Sequence, residues 1–408
     1  MSHLNSFYKI VVFRLYIIAE FSQNVQYVEM RKSASFRFWA AEERKWHGMD
    51  ALKEKINLLV SGFEKILYEE DDIFLKKMET RNVAGDSAER YRYWEWTQGV
   101  GLFGLWKIYE ETGDKEFLKK LEKYYERQLA VGLPARNVNT TAPLLALSYL
   151  AEENGNETYM EICREWAAWL VDGLPKTEEG GFQHLTSDTL IEQELWDDTL
   201  FMAVLFLARM GVLEKNRRWL EEAQYQFLLH VKYLADKKSG LWFHGWTFKG
   251  NHNFAGAFWG RGNSWITMAI PELFEIMECD EPVRRSLTEA LRNQIRALDG
   301  YQGEDGMWHT VIDDSTSYVE ASATCGFGYG ILKAVRLGLV DPSYEACAGK
   351  ALAPILKCID GEGVVHQVSY GTPMGRESVQ FYKDIELRPM PYGQAMAMLY
   401  LLEASKGK

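Results

Sequence analysis

TLFMAVLFLA (residues 199–208) carries no charged side chain, and after Thr199 no polar one. A helix of this composition has no face to offer water, so the sequence predicts that protein surrounds it on every side. Two adjacent carboxylates, Asp197 and Asp198, stand immediately before it in ELWDDTLFMAVLFLAR. Charges at the end of a buried helix either cap its free N–H groups or do chemistry, and the rest of the chain decides between the two.

The same kind of segment recurs. GVGLFGLWKIY, TTAPLLALSYL, SWITMAIPELFEIM, SATCGFGYGILKAV and YGQAMAMLYLL are also apolar nearly all round. They alternate with amphipathic, charged segments such as DKEFLKKLEKYYERQL, ETYMEICREWAAWLV and EPVRRSLTEALRNQIRAL. Six segments of each kind recur at roughly 40 to 70 residues, the mark of a helical-hairpin repeat. An open array, of the tetratricopeptide sort, needs polar caps at both ends, and neither terminal segment here is one. The economical alternative is closure into an all-α (α/α)6 barrel, with six inner helices ringed by six outer ones. SGLWFHGWTF, GMWHTVIDD and GVVHQVSYG, with glycines at their edges and aromatic or β-branched residues within, predict short strands or hairpins at one end. The barrel domain is read as residues 48–408. Residues 1–47 match no repeat element and form an N-terminal extension. Its YKIVVFRLYIIAEF stretch is broken by Arg14 and falls short of the roughly 20 residues a membrane span requires.

Composition narrows the function. A net charge of −12 and the absence of a basic run argue against nucleic acid. The five cysteines are odd in number, without a CxxC pair, which fits a reducing compartment and gives no zinc or disulfide framework. The histidines lack paired i, i+4 spacing, and no acids follow the Asp pair one turn later, so no metal is implied.

Alternating hairpins point all inner helices the same way, gathering their N-termini at one end. The residues there are Thr97 and Gln98, Asn139 and Thr140, Asp197 and Asp198, Arg261 and Asn263, Glu320 and Ser322, and Tyr392 and Gln394. Most are ordinary caps, each contributing about 1 kcal/mol. Arg261 is not, because a guanidinium opposes the helix dipole there unless something anionic faces it. Of the acidic pair, Asp197 is the better cap and Asp198 the better inward-facing group. Burial and the adjacent like charge raise the pKa of Asp198, while helix N-termini lower it. His244 is the best-placed histidine for proton transfer, with a structural role as the alternative.

ELWDDTLFMAVLFLAR, FWGRGNSW, GMWHTVIDDSTSYVEASAT and MPYGQAMAML, with YWEWTQGVGLFGLWKIYEETGD and NVNTTAPLLAL, resemble the unsaturated rhamnogalacturonyl hydrolases, glycoside hydrolase family 105. The resemblance runs from Tyr91 to Glu403 and implies an (α/α)6 barrel, no cofactor and no metal. It further implies removal of a 4,5-unsaturated uronic acid from the non-reducing end of lyase-generated oligosaccharides, by hydration of the double bond. Asp198 is then the general acid and the base that activates water. Trp196, His244, Trp259, Arg261, Gly262, Asn263, Trp265, Asn139, Thr140 and His184 become substrate-binding residues, with Arg261 steering the sugar carboxylate. A second acid that relatives place at the start of the second inner helix is missing from RNVNTTAP. The expected partner is a small unsaturated uronyl oligosaccharide, with no membrane, nucleic acid or obligate protein partner, in the cytoplasm. A related glucuronyl hydrolase activity, a sugar epimerase and a non-enzymatic helical scaffold are the competing readings.

Overall fold

Each of the first two inner helices runs straight into its outer partner through a two-residue device. Gly113 and Gly155 end the inner helices in the left-handed conformation, at φ 66° and 59°. The next residue, Asp114 or Asn156, caps the following outer helix, accepting from the Glu116 and Tyr159 amides at 3.0 and 3.1 Å. Glycine takes positive φ without steric cost, and Asp and Asn are favoured helix caps, so ETGDKE and ENGNET each encode a tight reversal.

The computed structural model describes residues 52–406, and the barrel belongs to the unit Lys55–Lys408. The sequence reading of residues 1–47 lies outside the described residues. In chain order the helices are α1 (52–66), α2 (Asp72–Arg81), α3 (Trp96–Thr112), α4 (Lys115–Val131), α5 (Val138–Asn154) and α6 (Glu157–Asp172). A π-helical turn, Leu200–Val204, leads directly into α7 (Leu205–Leu213), followed by α8 (Arg217–Leu234), α9 (Gly260–Ile276) and α10 (Glu281–Tyr301). Then come α11 (Ala321–Arg336), the short α12 (Glu345–Lys350) and α13 (Leu352–Cys358), α14 (Gln380–Lys383) and α15 (Pro391–Ser405).

The inner helices α3, α5, α7, α9, α11 and α15 each contact the next, and α15 returns to contact α3. That circuit is the closed (α/α)6 barrel the sequence predicts. Outer helices back the ring: α4 lies on α3, α6 on α5, α8 on α7, α10 on α9, and α12 and α13 on α11. In α1, the Phe63 ring sits against Gly101 of α3, and the Leu59 carbonyl accepts from Gln394 of α15. Inner helices are buried all round, as in α15 from Pro391 to Glu403. Outer helices bury one stripe, as α4 does with Phe117, Leu121, Tyr124, Tyr125 and Gln128. This division is the amphipathic-versus-uniform pattern of the sequence made spatial.

The expected strands shrink to one small sheet. Strand β1 (Glu194–Trp196) pairs antiparallel with β2 (Gly245–Thr247), Trp196 opposite Gly245. Of the three predicted stretches, only SGLWFHGWTF contributes a strand; the other two make isolated bridges, including His309 with Val319 and Ile359 with Val365. Among the described residues no helix is long and apolar enough to cross a membrane.

Candidate active site

A cavity of about 210 Å3, open to solvent, lies at the end where the inner helices begin. Its walls come from the start of α3, Asn139 of α5, the 184–198 segment, α9, α2 and the loop 370–376.

Asp198 lines this cavity and Asp197 does not. The Asp198 carbonyl starts the third inner helix, accepting from the amides of Phe201 and Met202 at 3.0 and 2.9 Å. Its side chain retains 17% exposure, and Oδ1 lies 3.4 Å from Nδ1 of His184. Burial pushes the carboxyl up to about 7, against the pull of the nearby Arg261 guanidinium. Asp198 therefore sits near half-protonation at neutral pH, poised to give and take back a proton. The π-helical turn that follows it is a form frequent at functional sites.

Asp197 is not the cap the sequence suggests. It is fully buried, and neither carboxyl oxygen has a hydrogen-bond partner. The carboxyl packs against Gly262, where an added Cβ would stand 2.2 Å from Oδ2. Burial, then the adjacent Asp198, holds it well above the usual carboxylate range, so it is a neutral acid behind the wall.

The other predicted residues divide. Asn139, His184, Trp196, Trp259 and Trp265 line the cavity with Asp198. His184 is stacked flat on Trp196, centroids 4.2 Å apart at 7°, and shares a 2.8 Å hydrogen bond with Thr199 Oγ1. Burial lowers its pKa to about 3, so it is neutral.

Arg261, Gly262, Asn263, Thr140 and His244 are not among the residues that line the cavity. The Arg261 guanidinium donates to the carbonyls of Ser369 and Tyr370 and to the hydroxyl of Thr372, at 2.7, 3.1 and 2.8 Å. It lies between the Trp259 and Tyr392 rings, 4.0 Å from buried Glu320. The anion opposite Arg261 is thus a residue of the protein itself, and the arginine anchors the loop that closes one side of the cavity. Asn263 spends its amide on the backbone of Trp242 and Trp259. Thr140 completes a capping box with Asn137. Gly262 makes room for Asp197. His244 hydrogen-bonds the Tyr382 hydroxyl at 2.7 Å through Nδ1, and burial holds it well below its usual pKa.

Sequence reasoning missed several lining groups. Lys77 and Arg92 come from the stretch before α3, and Arg376 grips Glu194 with two bonds of 2.8 and 3.1 Å. Nothing in GTPMGRES announces Arg376. Glu95 was legible, because it stands immediately before an inner segment, in YWEWTQG, as the other mouth residues do. It is 6% exposed and lines the cavity. Burial pushes its carboxyl up to about 8.

The model of Glycosyl Hydrolase Family 88 matches residues 69–408, which include all six inner helices and every wall of the cavity. The chain belongs to that family. Among curated relatives, the unsaturated rhamnogalacturonyl hydrolase YesR of Bacillus subtilis is 30% identical over 77% of this chain and 90% of its own length. The unsaturated 3S-rhamnoglycuronyl hydrolase of an Alteromonas strain is 25% identical over 67% of this chain and 70% of its own length. A possible member of family GH105 from Salmonella enterica is 45% identical, covering 88% of this chain and 94% of its own, with a TM-score of 0.81. Families 88 and 105 meet in these matches, and the family 105 resemblance of the motifs stands. The chain is a glycoside hydrolase of the unsaturated uronyl hydrolase class.

Proposed function

We propose that the protein removes a 4,5-unsaturated uronic acid, most simply galacturonate, from the non-reducing end of rhamnogalacturonan fragments cut by a lyase. The observation that carries the reading is the split of the Asp pair: the helix mouth presents one carboxyl, Asp198, to the cavity and buries the other, Asp197. Tryptophan faces line that cavity, and Lys77, Arg92 and Arg376 stand in its wall, each paired with a protein carboxylate that an acidic sugar would have to share.

Asp198 in its acid form gives its proton to carbon 4 of the vinyl ether, and positive charge develops at carbon 5, shared with the ring oxygen. The carboxylate so formed takes a proton from water as the water oxygen bonds to carbon 5. Asp198 is thereby restored, and the product is a hemiketal. Opening of the hemiketal to a ketone frees the hydroxyl on carbon 1, which expels the remaining sugar chain as an alcohol. One water is consumed and no charge is left over. A single carboxyl serves as acid and base in turn, a role suited to a pKa near the working pH. This differs from the two-carboxylate arrangement of ordinary glycosidases. The five cysteines are all free, which suits an enzyme that finishes imported fragments in the cytoplasm.

Mixing the protein with lyase-digested rhamnogalacturonan, and separately with lyase-digested glycosaminoglycan, tests activity and substrate class together. The reading expects the ultraviolet absorbance of the conjugated uronate to fall faster with the first. Loss only with the second supports the glucuronyl alternative, and loss with neither refutes the proposal.

A further inference from the structure

Four carboxyl groups line the cavity: Asp71, Glu95, Asp188 and Asp198. Asp71 accepts from the Tyr370 hydroxyl and the Phe74 amide, and Asp188 lies on the rim facing Lys77 and Thr186. Glu95 is the most buried of the four, 6% exposed, whereas the Asp188 and Asp198 side chains are 19% and 17% exposed. It also stands where helix capping alone would select Asp, Ser or Thr. Its extra methylene carries the carboxyl on to Ser187, whose hydroxyl donates to Oε1, and to the amide of Asn139. Asn139 is itself a lining residue, contributed by the next inner helix.

Resting on the function proposed above, we infer that Glu95 is a substrate-binding residue. Its carboxyl, with the Asn139 amide, holds the polar edge of the terminal uronate and sets the preference for an acidic sugar. The titratable or charged groups around it are Asp188 and Tyr91, with Arg92 and Asp198 also lining the cavity; Ser187, Asn139 and the Trp96 amide are its hydrogen-bonding neighbours. Burial outweighs those hydrogen bonds and leaves Glu95 protonated at neutral pH. A neutral carboxyl donates a hydrogen bond to a hydroxyl or carboxylate oxygen of the sugar, whereas an ionised one would repel an anionic ligand. Substrate binding then weakens as Glu95 ionises, independently of the chemical step at Asp198.

The test compares KM and kcat for the unsaturated rhamnogalacturonan disaccharide across pH 6 to 9 in wild type and Glu95→Gln. A glutamine keeps a donor and the cap geometry at every pH. One unit above its pKa only about a tenth of Glu95 holds a proton, so wild-type KM rises about tenfold between pH 7 and pH 9. Glu95→Gln matches wild-type KM within about threefold at pH 7 and stays flat to pH 9. Glu95→Ala, with its fold checked by circular dichroism, raises KM at pH 7 about tenfold and leaves kcat within about threefold. Superposable KM profiles for wild type and Glu95→Gln overturn the inference, and so does a Glu95→Gln variant that loses kcat at unchanged KM. Failure of wild type to consume any unsaturated uronyl substrate overturns instead the function on which the inference rests.

Discussion

The two ends of the barrel hold acidic side chains in opposite ways. At the mouth, Asp197, Asp198 and Glu95 are buried without a cation in direct contact, and all three are pushed toward the protonated form. At the base, where the inner helices end, Glu272 and Glu275 meet Lys333, its Nζ 2.5 Å from each, and Lys107 reaches Glu275 at 3.1 Å. Tyr329 and Arg336 join the same network. Burial favours the neutral form of both glutamates, but Lys333 and Lys107 outweigh it and hold them below the usual carboxylate range. Lys333 and Arg336 come from the last turn of α11, where the helix dipole favours them, and Lys107 from within α3. The base is neutralised and closed, and the mouth is left unsatisfied. Unpaired buried carboxyls lower stability, which is the cost expected of a site built to exchange protons.

Breaking the base gives the largest expected effect on stability. Lys333→Ala leaves Glu272 buried with its nearest remaining ammonium, Lys107, at 3.8 Å. Removing one partner of a buried pair costs about 3–5 kcal/mol, so denaturant unfolding at pH 7 should show a loss of that order. A loss below about 1 kcal/mol would mean that the base network is ornamental.

The mouth should respond with the opposite sign. The folded pKa of Asp198 is raised to about 7, from an unfolded value of about 4. Its favourable contribution is therefore complete below pH ~4 and is lost as pH rises to about 7. Asp198→Asn should be more stable than wild type at pH 8, by at most about 4 kcal/mol at 1.36 kcal/mol per pKa unit. That advantage should vanish near pH 4. The lowered glutamates at the base follow the reverse rule: their contribution is present above about pH 4.5 and is lost on acidification. Unfolding curves of Asp198→Asn and wild type across pH 4 to 8 separate the two ends, and parallel curves would erase the distinction.

The smallest effect is the most local. Arg261→Lys keeps the charge near Glu320 but loses the planar fork that holds Ser369, Tyr370 and Thr372. The loop it anchors lines the cavity, so KM should rise severalfold with kcat little changed. A variant that loses kcat at unchanged KM would return Arg261 to the reacting centre.

The sequence reveals one end of this comparison better than the other. Uniformly apolar segments can only be inner helices, so the ring follows from composition, and Asp198 follows from its place before such a segment. The setting of Arg261 is hidden because its partners are remote: Ser369 lies 108 residues further along the chain. Reading Arg261 at the helix mouth rightly demanded an anion, but burial of Glu320 beside it could not be seen in FWGRGNSW. Gly262 shows the same gap, since its role is to clear space for Asp197 on another segment. Arg376, Tyr370 and Lys77 reach the cavity from irregular segments or from α2, where no periodicity marks a functional position.

Asp197 and Asp198 are neighbours in the chain with different fates, and substituting each in turn tests the account most directly. Asp198→Asn should abolish decay of the uronate absorbance, by a factor of about 1000 or more, while keeping a cooperative unfolding transition. Asp197→Asn, which replaces a neutral buried acid by its amide, should retain activity within about tenfold of wild type. An active Asp198→Asn enzyme, or an Asp197→Asn enzyme that is folded but dead, would contradict the assignment.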